Sequence, residues 1–283
     1  MKPALTKARY SVKLCLMETL KVMVLGIIQG ITEWLPISST GHMLLADEFI
    51  HLAGSDAFKS VFWVIIQLGS ILAVLVLYWN TLSPFKRDRK ERNACFNLWG
   101  KVLVATVPAG IAGVLLDDLI DEKLSVWYVI AFTLFVYGVL YIILERKVKI
   151  PKRINTIENV NYMDAFKLGM FQMLALIPGT SRSGSTILGG ILLGFDRTVA
   201  AKFSFFMALP VMAGASLLRL LKSGFNFTGS EWALMGIGTF VAFVVSLIVI
   251  KKLVDFVRNH DFAGFGVYRV VLAVVVVLYF SFR

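Results

Sequence analysis

Histidine, cysteine and charge are all scarce in this 283-residue chain, which has three His, two Cys and only 17% Asp, Glu, Lys and Arg. Cys15 and Cys95 stand far apart, with neither CxxC nor metal-ligand spacing, so they make no disulfide framework or cysteine metal site and read as idle thiols. The shortage of charge, beside 58% apolar residues and a mean hydropathy of +0.77, excludes a soluble domain of this size. A removable signal peptide is not expected either. The basic N-terminus has no small-residue cleavage site, and Gln29 and Glu33 interrupt the apolar continuation.

What fills the chain is long apolar runs. Six of them, 61–79, 98–116, 125–144, 199–218, 232–250 and 264–282, approach the ~20 residues a helix needs to cross a bilayer. Two more apolar regions, 18–50 and 162–197, are each broken near the middle by a Pro and a Ser/Thr/Gly cluster, which predicts a re-entrant hairpin of two short helices rather than a span. The expected fold is an all-α integral membrane protein with six transmembrane helices and two re-entrant helical hairpins.

A net charge of +11 would suit nucleic acid, but the basic residues lie mainly in short segments between spans, so they report topology and no nucleic-acid partner is expected. Segment 80–97 carries Lys86, Arg87, Arg89, Lys90 and Arg92, and segment 145–161 carries Arg146, Lys147, Lys149, Lys152 and Arg153; both are predicted cytoplasmic. The run from Asp117 to Glu122 reads as a solvated loop on the outer side. Both termini then fall outside, against the pull of Lys2, Lys7, Arg9 and Lys13 toward the cytoplasm.

An internal repeat runs through the chain at a constant offset of 143 positions, pairing Gly26 with Gly169, Gln29 with Gln172, Lys59 with Lys202 and Phe62 with Phe205. Leu35-Pro36 answers Ile177-Pro178, slipped by one. Residues 1–150 and 151–283 are thus expected to be two halves of one membrane domain. An odd number of spans in each makes the second copy inverted, and broken helices in inverted repeats place a polar site near the midplane.

The chemistry concentrates at the two breaks. Gln29 and Glu33 are four apart, stacked on one helix face, and offer oxygens to one divalent cation. After Pro36 come Ser38, Ser39, Thr40, Gly41 and His42; after Pro178 come Gly179, Thr180, Ser181, Arg182, Ser183 and Gly184. Hydroxyl-rich turns that open a helix leave unpaired amides for an anion, and Arg182 supplies a guanidinium shaped for two phosphate oxygens. Carboxylate, His, hydroxyls and Arg together make a phosphoryl-transfer set.

These residues resemble the bacterial undecaprenyl-diphosphate phosphatases of the bacitracin-resistance type, over nearly the whole chain. The family's Glu/Gln-x-x-x-Glu falls on Gln29 and Glu33, its Pro-x-Ser-Ser-Thr-Gly-His on Pro36 to His42, and its Pro-Gly-x-Ser-Arg-Ser-Gly on Pro178 to Gly184. The resemblance implies hydrolysis of undecaprenyl diphosphate to the monophosphate in carrier-lipid recycling for the cell wall. It also implies a divalent cation (Mg2+ or Ca2+) and a bacterial inner-membrane location with the site open to the outside. Many members have Glu where this chain has Gln29, which leaves Glu33 as the principal metal ligand.

In the expected mechanism the backbone and side chains of Ser38, Thr40, Gly179, Thr180, Ser181, Ser183 and Gly184 bind phosphate beside Arg182. Ser39 is the candidate nucleophile and His42 the general base or leaving-group acid, with a metal-activated water as the alternative attacker. The prenyl tail lies in lipid, and a homodimer is compatible with this reading. A transporter or flippase of polyprenyl phosphates is the rival class. A type 2 phosphatidic acid phosphatase is excluded, because His51 and His260 lack the neighbours that its chemistry needs.

Overall fold

The computed structural model describes residues 2–283, with side chains described for 16–116, 119, 120 and 122–283. The side chains of Lys2, Lys7, Arg9, Lys13, Cys15, Asp117, Asp118 and Asp121 lie outside the described residues. The described chain is helical: α1 (Lys2–Thr32), α2 (Ser39–Asp47), α3 (Asp56–Leu77), α4 (Trp79–Leu82), α5 (Arg89–Leu119), α6 (Trp127–Lys147), α7 (Tyr162–Met173), α8 (Arg182–Leu192), α9 (Arg197–Ser223), α10 (Gly229–Asn259) and α11 (Ala263–Ser281). Among the described residues the only β pairing is an isolated bridge between Ile154 and Phe195. Six helices, α3, α5, α6, α9, α10 and α11, are long and apolar enough to cross a membrane, and they fall on the six expected runs.

Helix ends depart from the sequence expectation where charge alone had suggested loops. Residues 117–124, expected as a loop, stay helical, because α5 runs on to Leu119 and continues into a π turn over Ile120–Leu124. No Gly or Pro lies between Gly113 and Ser125 to stop it. The first arm of the first broken region likewise begins at Lys2 instead of residue 18, giving a helix of 31 residues, about 46 Å long at 1.5 Å per residue.

Both broken regions are helix, break, helix, and in each the stretch after the second helix lies against the first arm or the segment before it. Glu18 and Lys21 of α1 bond Ala53 and His51 in the segment that follows α2, the Glu18 carboxylate accepting the Ala53 N–H at 2.9 Å. At the other hairpin, Arg153 reaches Asp164 at the start of α7 while its backbone N–H donates to Gly194 just beyond α8. The Arg197–Glu145 ion pair joins the start of α9 to the end of α6.

The hairpins are exchanged between the two stretches of sequence. The long arm of the first, α1, packs on α10, and the corresponding arm of the second, α7, packs on α5. Glycine permits the approach: a Cβ on Gly26 would stand 2.6 Å from the Gly238 carbonyl oxygen, and one on Gly169 would stand 2.5 Å from that of Ala105. α3 meets α9 and α6 meets α11 across the centre, and Ser246 of α10 donates to Ser70 of α3 at 3.1 Å, the interhelical bond that a polar residue within a span leads one to expect.

Candidate active site

Each break follows from a proline. Pro36 and Pro178 have no N–H to continue a helix and drive the preceding residue to extended backbone, as Ile177 shows with φ −75° and ψ 119°. The chain then re-enters a helix through a serine with the same unusual backbone in both places, φ +72° at Ser38 and at Ser181, which are 143 positions apart. Each is the N-cap of its helix, and its hydroxyl accepts the N–H of a glycine three residues on, Gly41 at 3.3 Å and Gly184 at 3.1 Å. A non-glycine residue at positive φ costs about 1–3 kcal/mol and is kept only where its surroundings hold it. The slip of one residue between the prolines is thus made up before the caps.

The two breaks meet. Arg182 donates to Glu33 Oε1 at 2.8 Å and to the Ser204 carbonyl at 3.1 Å, and its guanidinium lies 5.2 Å from the centre of the buried Trp34 ring. The other Glu33 oxygen accepts Gln29 Nε2 at 2.9 Å and the Ser39 hydroxyl at 3.2 Å. Ser183 donates to the Glu33 and Leu35 carbonyls. Glu33 is therefore held by Gln29, Ser39 and Arg182 at once.

His42 has a different set of neighbours. Its Nδ1 lies 2.7 Å from the Ser38 carbonyl, which can only accept, so this nitrogen carries the proton and Nε2 accepts from the Tyr268 hydroxyl at 2.7 Å. The imidazole braces the strained Ser38, while the Ser39 hydroxyl turns to Glu33. Thr40 is exposed, whereas Thr180 is buried.

Gly179 has φ +87°, and a Cβ there would stand 2.2 Å from Thr133 Oγ1 and 2.7 Å from the Ile130 carbonyl oxygen of α6. Thr133 uses that hydroxyl to bond the Pro178 carbonyl at 2.8 Å. Gly179→Ala is expected to cost about 3 kcal/mol or more from strain and overlap together. A thermal melt checks this, and an unchanged melting temperature would show that the loop can leave α6.

Sequence reasoning missed Arg269. It sits within α11, fully buried, and donates to the Pro36 carbonyl of the first break at 3.2 Å and to the Gly179 and Thr180 carbonyls of the second at 2.9 and 3.0 Å. The signal was present, since a lone arginine inside a hydrophobic span marks a functional site by default. Tyr268, its neighbour in sequence, was missed with it.

Among the described residues, five buried side-chain polar atoms lack a protein partner: Trp34 Nε1, Gln172 Oε1, Thr180 Oγ1, Arg182 Nε and Arg269 Nε. Trp34, Thr180 and Arg182 belong to the breaks, Arg269 bonds both, and Gln172 ends α7 just before the second. Four of the five are donors, the complement of an anion rich in acceptor oxygens.

Known proteins with this pattern agree in kind. The profile of the family described as "Bacitracin resistance protein BacA" matches residues 22–275. "Undecaprenyl-diphosphatase 1" of Clostridioides difficile (strain 630) is 54% identical over 267 residues, covering 94% of this chain and 97% of its own. "Undecaprenyl-diphosphatase" of Desulfitobacterium hafniense is 51% identical, covering 95% and 99%, and that of Enterococcus faecalis is 52% identical, covering 92% and 96%.

Proposed function

Since the chain belongs to the bacitracin resistance protein BacA family, we propose that it hydrolyses undecaprenyl diphosphate to undecaprenyl phosphate and inorganic phosphate. The observation that carries this reading is the meeting of the two breaks around one carboxylate and two buried arginines, with four donors left over. The diphosphate takes Arg182 from Glu33, so that arginine and first-turn amides hold the phosphates. Glu33, released from Arg182, accepts the Ser39 proton as the Ser39 oxygen bonds the terminal phosphorus. The bridging P–O bond breaks and undecaprenyl phosphate leaves. Water then cleaves the phosphoserine to inorganic phosphate, restoring the hydroxyl.

A divalent cation fits this residue set only in company with substrate. No group of three or more His, Cys, Asp or Glu among the described residues is placed to hold a metal alone, but Mg2+ typically takes one or two carboxylates plus substrate phosphates. Glu33 and Gln29 would hold it, and it would offset phosphoryl charge there. Phosphate release from undecaprenyl diphosphate by the purified protein, with and without chelator, tests the reading. Release lost in Glu33→Ala supports it; lipid movement without phosphate release would favour the transporter.

The hairpins are read as re-entrant and the halves as an inverted repeat. The matched serines 143 positions apart and the bonds that tie the end of each broken region back to its first arm or the segment before it support this. The basic segments 80–97 and 145–161 then face the cytoplasm of a bacterial inner membrane, and the first hairpin enters from outside. A cysteine at Lys123 is expected to react with an impermeant thiol reagent added to intact cells, and one at Arg87 is not. Reversed labelling would overturn the orientation.

A further inference from the structure

A reaction through phosphoserine needs a base in each of its two steps. After the first step Glu33 carries the Ser39 proton, and an acid 3.2 Å from Ser39 Oγ is placed to return that proton when the phosphorus–Oγ bond breaks. Glu33 is then no base for the water that attacks. Arg182 and Arg269, the guanidinium groups at the breaks, are protonated already. His42 is the one histidine of either break, and the transfer of the phosphoryl group to Ser39 makes no use of it.

A residue from the far end of the chain sets His42 up for that use. Ser39 and His42 are three apart on α2, which makes them neighbours on one helix face. With the Nδ1 proton spent on the Ser38 carbonyl, the ring keeps a single lone pair at Nε2, and the Tyr268 hydroxyl stands 2.7 Å from it. The two rings lie nearly parallel, with planes 6° apart and centres separated by 5.6 Å. Tyr268 comes immediately before Arg269, whose bonds to Pro36, Gly179 and Thr180 fix this turn of α11 against both breaks. At 44% exposed, Tyr268 is not sealed in the core. A hydroxyl donates and accepts at once, so it can give its own proton to Nε2 while taking one from water.

We propose that Tyr268 relays the proton of the attacking water to His42 Nε2 in the second step. The proposal rests on the diphosphatase reading of the site, with Ser39 as nucleophile. As the water oxygen bonds phosphorus, its proton passes to the Tyr268 oxygen and the tyrosine proton passes to Nε2. The bond from phosphorus to Ser39 Oγ breaks, and Oγ takes the proton held by Glu33. Inorganic phosphate leaves, and the imidazolium returns its proton to solvent through the same hydroxyl.

The experiment follows undecaprenyl diphosphate radiolabelled at its terminal phosphorus through an acid quench, which preserves phosphoserine. It compares wild type, Tyr268→Phe, His42→Gln and the double variant, with thermal melts to check folding. Phenylalanine keeps a ring against His42 and loses only the hydroxyl. His42→Gln is expected to lower kcat by about 100-fold or more and Tyr268→Phe by about tenfold, because a water can stand in for the lost hydroxyl. Label is expected to accumulate on Ser39 in both, with kcat/KM held, since only the step after phosphoryl transfer is slowed. The double variant is expected to match His42→Gln, because Tyr268 acts through His42. A Tyr268 of structural value alone would lower the melting temperature, leave the kcat of the folded protein unchanged and trap no label. Wild-type kcat in Tyr268→Phe, a further loss when it is added to His42→Gln, or slowed release with no label on Ser39 would each overturn the relay. Absence of phosphate release by wild type would instead bring down the diphosphatase reading itself.

Discussion

Glu33→Gln is expected to leave a folded protein that has lost most of its phosphate release, by about 100-fold or more. The carboxylate stands at a junction: Oε1 holds Arg182, while Oε2 holds Gln29 and Ser39. A glutamine of the same shape can still accept the Arg182 hydrogen bond through its own oxygen, so the contact survives in weakened form. It cannot take the Ser39 proton, and general-base participation is typically worth about 10²–10⁴ in rate. Nor can a neutral amide replace the single anionic ligand of a cation. The ion pair is buried, with side-chain exposures of 11% for Arg182 and 7% for Glu33. Leaving Arg182 unpaired there costs about 3–5 kcal/mol, so Glu33→Ala is expected to melt well below Glu33→Gln. Steady-state phosphate release across a cation titration, beside thermal melts, separates the two effects. Wild-type turnover by Glu33→Gln at low cation would remove Glu33 from the chemistry. Gln29→Glu, which adds a carboxylate one helical turn away, is expected to stay active.

Much of this arrangement could be read from residues alone, because the features that mark it are local. Apolar length locates the six spans, and proline followed by hydroxyl residues locates both breaks. The 143-position offset predicts that the breaks are equivalent, and the structure adds the matched serine caps Ser38 and Ser181. What could not be read depends on which surfaces face one another. Nothing in the periodicity of α1 says that its glycines will lie on α10 rather than on a helix of its own stretch. His42 was legible as a titratable group in a phosphate turn, but its direction was not. The helical turn that starts at Ser39 aims the ring back at the Ser38 carbonyl and out to Tyr268. Helix ends were misjudged at 117–124, where acidic residues suggested a loop and the lack of any breaker let the helix run on.

Arg269 carries the second large effect, because one side chain ties the two breaks together. Its guanidinium donates to Pro36 on one loop and to Gly179 and Thr180 on the other, and Nη1 packs so close to Gly184 that a Cβ there would lie 3.0 Å away. It is buried and, among the described residues, has no carboxylate partner in hydrogen-bonding contact; it lies 5.5 Å from the centre of the Tyr137 ring. With carbonyls of both loops held by one guanidinium, the two breaks keep a fixed position relative to each other. Arg269→Met removes all three bonds, and a misplacement of about 1 Å at a reacting centre can cost 10²-fold. Turnover is therefore expected to fall by about that factor or more. Arg269→Lys keeps the charge, but a single ammonium cannot fork between two loops, so a loss of about tenfold is expected. If Arg269 positions the loops, kcat falls in both variants and Lys partly rescues Met even where the melts agree. If it serves stability alone, the variants melt early but the folded fraction keeps the wild-type kcat. Single-turnover phosphate release at a temperature below every melting transition distinguishes the two, and an undiminished rate in Arg269→Met would remove the clamp from the mechanism.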